Sequence, residues 1–251
     1  MDLIKVLWFL LGLSLGSFSL VVIMRYPKGG IKASFMGKSN CENCQHKLGL
    51  LDLIPLLSYI MHRGKCRWCK IKLSYIYPLW ELLLAILATG LSFYFPNTLI
   101  GLINLIIITV LLILAGIDWL TMEIDEKLIG GGLWLILLEI LIARSLILPH
   151  IYGLIIGAGF FFILVVIGKG KWMGGGDILV GGLVGFWLGY PLISTVLLLS
   201  FILGAIYGGL LLATKKATLK TAVPFAPFII ISSILTLLYG ANMLKWISGG
   251  N

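Results

Sequence analysis

An all-α integral membrane protein is the fold class that this sequence predicts, and three observations carry it. Of 251 residues, 60% are hydrophobic and only 12% are charged, where a soluble domain carries about 25% charged residues. The mean hydropathy is +1.08. Long apolar runs recur along the whole chain, without the strict alternation of a transmembrane β-strand. A soluble fold presents most of its surface to water and has no room to hide this much apolar side chain. Soluble enzymes, disordered tails and disulfide-rich secreted modules are therefore excluded on composition alone.

A helix crosses a bilayer with roughly 17–25 apolar residues. The segments 3–24, 78–95, 98–117, 128–148, 151–167, 178–190, 192–213 and 225–246 give about eight transmembrane helices. The sixth of these is short, so a re-entrant or half-buried segment is the alternative there. With the N-terminus outside, ten basic residues fall in 25–77, and Lys127, Lys169, Lys171, Lys215, Lys216 and Lys220 follow on the same side. Sixteen of the nineteen Lys and Arg thus share one face, leaving Lys5, Arg144 and Lys245 for the other. That asymmetry marks the basic face as cytoplasmic. It also accounts for the net charge of +9 without a nucleic-acid partner. The first span lacks a small-residue cleavage site and reads as a retained anchor. The predicted organisation is a first helix (1–24), a cytoplasmic insertion (25–77) and a multi-spanning domain (78–251).

All four cysteines lie in that insertion, as Cys41-x-x-Cys44 and Cys66-x-x-Cys69 with 21 residues between the pairs. The cytosol keeps thiols reduced, which disfavours a disulfide framework. Two such knuckles let four thiolates converge on Zn²⁺, in the manner of a zinc ribbon. About 50 residues build little core, so a metal staple has a physical purpose. A closed four-sulfur site leaves no position for water, and the zinc would be structural. Free or redox-active thiols are the alternative. His46 and His62 lie beside the knuckles and are expected on the surface.

The ten acidic residues are few enough to place one by one. Asp2 and Glu139 belong to the outer side or a span interior, Glu42 and Asp52 to the cysteine segment, and Glu81 to the start of the second span. Asp118, Glu123, Asp125 and Glu126 cluster where the third span meets the cytoplasm. Asp177 follows Gly174-Gly175-Gly176 at the start of the sixth. Asp118 and Asp177 thus emerge at one depth on one face, and ionisable groups at membrane depth are functional candidates by default. Two neighbouring carboxylates share a proton, one acting as base toward a water and the other as acid. That pairing hydrolyses a peptide bond without a metal or a nucleophilic side chain. Asp177 also stands where a helix N-cap belongs, so capping is open as its role. Asp118 sits where its helix dipole opposes an anion; a loop or snorkelling position is its alternative. With that dipole against it, Asp118 is the expected holder of the shared proton. Gly174 and Gly176 allow a substrate strand to approach the backbone closely. A transmembrane substrate must be unwound before its amide is attacked, because helical carbonyls are engaged.

These residues in this order resemble the type IV prepilin peptidases of the Gly-x-Gly-Asp aspartic protease class. The likeness begins with GSFSLVVIMRYP (16–27) and runs through CENC (41–44) and DLIPLLSYIMHRGKCRWCKIKLSYIYPLWELL (52–83). It then covers the Asp118 segment and the Gly174 to Asp177 motif, and ends with PFAPF (224–228). The resemblance implies a bifunctional enzyme of the bacterial inner or plasma membrane, active at the cytoplasmic face. It would cut the short basic leader from prepilin or pseudopilin substrates, then methylate the new N-terminus from S-adenosylmethionine. Asp118 and Asp177 match the two catalytic aspartates, and the cysteines match the zinc knuckles of a methyltransferase-associated insertion. Residues 78–251 then form the peptidase domain. Gly174, Gly176, Asp125 and Glu126 are the candidate substrate-binding residues, the acidic pair meeting the basic leader in a salt-dependent way. Two departures are visible: Ile124-Asp125-Glu126 lacks the family's proline, and Leu179 stands where a lysine commonly follows the second aspartate. No glycine-rich nucleotide fold is present, so no residue is assigned to the methyl donor.

Two other classes compete. A transporter or channel with a zinc-stapled cap would need polar groups at the membrane centre, where the sequence offers Glu139 and little else. A pilus-assembly scaffold without catalysis is the third reading.

Overall fold

The computed structural model describes residues 3–37, 39–41, 43–215, 218 and 221–247, with side chains described as far as residue 240. Asp2, Lys38, Glu42, Lys216 and Lys220, and the side chain of Lys245, all placed above from sequence, lie outside the described residues. The helices are α1 (Leu3–Phe35), α2 (Leu57–Met61), α3 (Ile76–Tyr94), α4 (Thr98–Thr121), α5 (Glu126–Ala143), α6 (Ile147–Ile167), α7 (Gly175–Leu188), α8 (Leu192–Ala213) and α9 (Ala226–Ile247). A 3₁₀ turn, Leu50–Leu53, precedes α2. Among the described residues the extended pairing is limited to two antiparallel bridges, Asn40 with Lys47 and Lys65 with Lys72.

A long helix stands at each of the eight expected positions, and five of them, α1, α3, α4, α6 and α8, are long and apolar enough to cross a membrane. The other three fall short for separate reasons. Helix α5 carries Glu126, Lys127 and Glu139 within its 18 residues. The 14 residues of α7 rise about 21 Å, less than the ~30 Å hydrocarbon thickness. The apolar part of α9 within the described side chains is Ala226–Gly240. Helix length and composition therefore give five crossings and leave the count of eight open.

The first helix also departs from expectation. It continues past residue 24 to Phe35, through Pro27, and bends at Gly29 and Gly30. Pro27 fixes a helical φ, so it does not stop the rod at once. The break comes at Gly30, whose φ of 67° and ψ of −171° are accessible to glycine alone. One further turn follows, with Ile31 and Ser34 buried.

The chain forms two compact units, Met1–Thr109 and Val110–Asn251, with α4 running through the boundary. In the first unit, α1 lies on α3. Gly12 and Gly16 make this approach possible: a Cβ on Gly12 would meet Ala85 Cα at 2.6 Å, and one on Gly16 would meet Glu81 Cα at 2.7 Å. Trp80 Nε1 donates across the seam to Ser19 Oγ at 3.0 Å. Small residues four apart are the usual device for close helix contact in a bilayer, where lipid and side chain are equally apolar.

The second unit uses the same device twice, on facing helices. Gly153 and Gly157 of α6 lie against Gly185 and Gly181 of α7, so that a Cβ on Gly153 would overlap the Gly185 carbonyl oxygen and one on Gly157 that of Gly181. Polar bonds tie the start of α6 to the end of α7. Tyr190 N–H donates to Pro149 O at 2.9 Å, and His150 Nδ1 lies 2.8 Å from Phe186 O. Helices α8 and α9 pack beside this pair. The consequence is that α7, the helix that opens with the Gly-Gly-Asp motif, is fixed by backbone contact on α6.

Gly157→Ala and Gly185→Ala should each destabilise the folded protein by about 1–3 kcal/mol through overpacking, read as a lower thermal midpoint in detergent. Gly159→Ala, on the same helix as Gly157 but facing open space, should hold or raise that midpoint, because alanine is the better helix former.

Candidate active site and metal centre

The four cysteines converge within the first unit. Their sulfurs all lie within 4.8 Å of one another, and Cys41 Sγ stands 3.8 Å from Cys69 Sγ. A tetrahedron of thiolates at a Zn–S distance of 2.3 Å has edges of about 3.8 Å. The two knuckles are built alike. Cys41 N–H donates to His46 O and Gln45 N–H to Cys41 O, both at 2.9 Å; Cys66 N–H donates to Ile71 O at 2.9 Å and Lys70 N–H to Cys66 O at 3.1 Å. The residue after each second cysteine is left-handed, Gln45 at φ 55° and Lys70 at φ 59°, which turns backbone donors toward the sulfurs. The Ile71 backbone N–H, aided by the Asn43 side chain, holds the Cys69 thiol down at about 6. The N–H groups of Cys44 and Asn43 likewise lower Cys41. Thiolates are the ligating form, so the donor set, the spacing and the hydrogen bonds all fit a structural zinc. His46 stacks on Trp68 with ring centroids 3.9 Å apart, and His62 Nε2 lies 3.4 Å from Asp52 Oδ1. The histidines thus have other partners and stand outside the sulfur cluster.

In the second unit a cavity of about 980 Å³ is lined by both Asp118 and Asp177. Asp118 lies in the last turn of α4 and is buried. The N–H of Ala226, the first residue of α9, donates to its Oδ2 at 3.2 Å. The helix end that carries Asp118 opposes an anion, and the N-terminus of a different helix supplies the compensation. Asp177 is half-buried in the first turn of α7. Gly174, not Asp177, is the N-cap; Asp177 sits three residues inside and its Oδ2 accepts from Gly174 N–H at 3.2 Å. The capping role expected for Asp177 is therefore met from the third position, by reaching back. Both carboxylates border the same cavity, one from the end of α4 and the other from the start of α7.

The glycines divide in function. Gly176 is required by packing, since a Cβ there would sit 2.5 Å from Ile124 Cγ1. Gly174 and Gly175 face space with nothing closer than 4.0 Å to an added Cβ. Both border the cavity, as does Gly176.

The acidic pair suggested for substrate contact stands at the start of α5, outside the cavity lining. Asp125 caps α5, its Oδ1 accepting from Lys127 N–H at 2.9 Å and Leu128 N–H at 3.2 Å. Glu126 is exposed in the first turn of that helix. Among the described residues, the cavity takes Met122 and Ile124 from this segment and neither acid.

Residues without an assigned role in the sequence reading complete the walls. Lys171, Trp172 and Met173 precede the glycines, and Pro224 and Phe225 come from the PFAPF segment. Phe225 packs against Phe201 at 5.1 Å and Phe161 at 5.9 Å between ring centroids, and this apolar wall holds the start of α9 beside Asp118. Pro224 just ahead of an apolar run signals a helix start, but nothing in the sequence says that this start faces Asp118.

Residues 10–95 match the family described as Bacterial Peptidase A24 N-terminal domain, and residues 105–209 match the Type IV leader peptidase family. The Prepilin leader peptidase/N-methyltransferase of Bacillus subtilis (strain 168) is 33% identical over 245 residues, covering 95% of each chain. Proteins of the same name from Pseudomonas putida and Stutzerimonas stutzeri are 31% identical over 80% of this chain and 72% of theirs, and 30% identical over 92% and 89%. No solved structure matches the chain at a significant level. Carrying both domains in order and sharing 33% identity with a relative along nearly the full length of each, the chain belongs to the type IV leader peptidase family.

Proposed function

We propose that this protein is a membrane-embedded aspartic peptidase that removes the leader of prepilin-like substrates, and that it then N-methylates the new terminus. The observation that carries the reading is the pair of carboxylates from α4 and α7 lining one cavity, each met by a backbone N–H at a helix N-terminus. The relatives' name, Prepilin leader peptidase/N-methyltransferase, supports both activities.

Asp118 and Asp177 act as one unit that shares a proton. In the resting enzyme Asp118 holds that proton and Asp177 is the base. Asp177 takes a proton from a water in the cavity as the water oxygen bonds to the scissile carbonyl carbon. Asp118 gives its proton to the carbonyl oxygen, forming a neutral tetrahedral adduct. The adduct collapses as its hydroxyl returns a proton to Asp118 and the C–N bond breaks, the amine leaving with the proton held by Asp177. The open backbone at Gly174 and Gly175 receives the unwound substrate strand, and Gly176 keeps α7 against Ile124. Asp125 and Glu126, just outside the cavity, meet the basic leader.

The cysteines Cys41, Cys44, Cys66 and Cys69 hold a structural zinc that closes the module at 25–77. S-adenosylmethionine supplies the methyl group for the second reaction. The protein is multi-pass. Sixteen of nineteen basic residues on one side support an external N-terminus, eight crossings and a cytoplasm-facing site in the inner or plasma membrane. The transporter and scaffold readings are not favoured, since the relatives that match are named as enzymes.

Incubating purified protein with a prepilin, with and without S-adenosylmethionine, and weighing the product tests both reactions. Loss of the leader mass reads the peptidase and an added methyl the transferase; an intact substrate overturns the proposal. Asp118→Asn and Asp177→Asn should each slow cleavage by about 10²–10⁴-fold or more with unchanged helicity, and wild-type rates in Asp118→Asn would remove the pair. Cys66→Ser should abolish zinc binding, measured by metal analysis, and expose residues 36–75 to limited proteolysis while the membrane helices stay protected.

A further inference from the structure

The segment between the two knuckles presents an apolar surface that has no role assigned above. Residues 50–61 read LLDLIPLLSYIM and form the 3₁₀ turn and α2. Their apolar side chains point outward: Leu50 is 87% exposed, Ile60 68%, Met61 66% and Leu57 55%. No residue of either element is buried. A run this apolar would not stay in water beside a domain with so small a core.

We propose that residues 50–61 bed into the bilayer interface at the α3 N-terminal end of the first unit, with anionic lipid headgroups against the basic residues that follow. Three observations within that unit select lipid as the occupant. The first is depth. Leu56 N–H donates to Glu81 Oε2 at 2.8 Å, and Glu81 is buried in α3, five residues from its start at Ile76. At 1.5 Å per residue Glu81 stands about 7 Å along the axis from that start, and its side chain leans back toward the helix N-terminus, so Leu56 is held beside the first turns of α3. The 19 residues of α3 rise about 28 Å, close to the hydrocarbon thickness. A segment fastened there lies where α3 enters the membrane and not out in the cytoplasm. Leu56 accepts an unfavourable backbone to be held so, with φ 59° and ψ −50°.

The second observation is charge. Residues 50–75 contain Arg63, Lys65, Arg67, Lys70 and Lys72 against Asp52 as the acidic residue. Basic side chains adjoining an apolar surface suit an anionic leaflet. The third is the aromatic pair Trp68 and Tyr75, 52% and 69% exposed on the same stretch; such rings gather where hydrocarbon meets headgroups. Continuity agrees, because α3 starts at Ile76 and carries exposed apolar residues of its own, Leu79, Leu83 and Ile86.

The test uses the full chain in nanodiscs containing anionic lipid, with a small fluorescent amino acid replacing Ile60, or in a second protein Leu57, and a control label replacing Lys47. Lipids brominated near the headgroup should quench the labels at 57 and 60 by roughly twofold or more relative to unbrominated discs, and quench the label at 47, beyond the His46–Trp68 stack, less than either. Glu81→Leu should reduce that quenching, and Glu81→Gln, which keeps a carbonyl acceptor for Leu56, should restore it at equal helicity. Absence of quenching at both positions overturns the proposal. So does a label that becomes shielded only when a prepilin peptide is added, which would make the patch a substrate surface. Shielding in detergent that grows with protein concentration would assign it to a second copy and would equally overturn it.

Discussion

A carboxylate buried in an apolar helical bundle must be given a hydrogen-bond donor, and that requirement organises the second unit. Asp118 stands at the C-terminal end of α4, where its own helix opposes an anion, and the N–H of Ala226 answers it from the first residue of α9. Asp177 is answered from within α7, by the N–H of Gly174. Two helix N-termini are therefore aimed at one cavity. Each must be held to within a hydrogen-bond length, and the packing around them supplies that tolerance.

The glycines provide it by letting backbone meet backbone. Gly153 and Gly157 against Gly185 and Gly181 set α7 on α6 without intervening side chains, so the depth of the Asp177 turn is fixed by main-chain contact. Phe225, seated among Phe161, Phe201 and Phe228, does the same for the start of α9. Stability and site geometry thus share a cause: the contacts that replace the weak hydrophobic drive within a membrane are also those that aim the donors.

Much of this was legible in the sequence, and what was not has a common reason. Apolar run length locates the long helices, because bilayer thickness acts on composition directly, but it misses the extension of α1 to Phe35, where the chain turns polar and is no longer set by the bilayer. Paired Cys-x-x-Cys spacing foresaw the sulfur cluster, since the knuckle is a local turn. Scarcity of acids isolated Asp118 and Asp177. The sequence places Asp177 at the cap, three residues from the observed cap at Gly174; boundaries shift on such a scale. It assigned Gly174 and Gly176 one shared role, although only Gly176 has a neighbour, Ile124, that forbids a side chain. It had no means to pair Ala226 with Asp118 across 108 residues, nor Leu56 with Glu81 across 25. Local chemistry shows in sequence, whereas bonds between distant backbone and side-chain atoms leave no periodicity.

The central claim is that Asp118 and Asp177 work as one unit, and a double-mutant cycle tests it most directly. Single-turnover cleavage of a prepilin would be measured for Asp118→Asn, Asp177→Asn and the protein carrying both changes. Groups that share one proton are lost together, so the doubly substituted enzyme should be no slower than either single one. Losses that multiply would contradict the account, because they would mean that the two aspartates contribute separately.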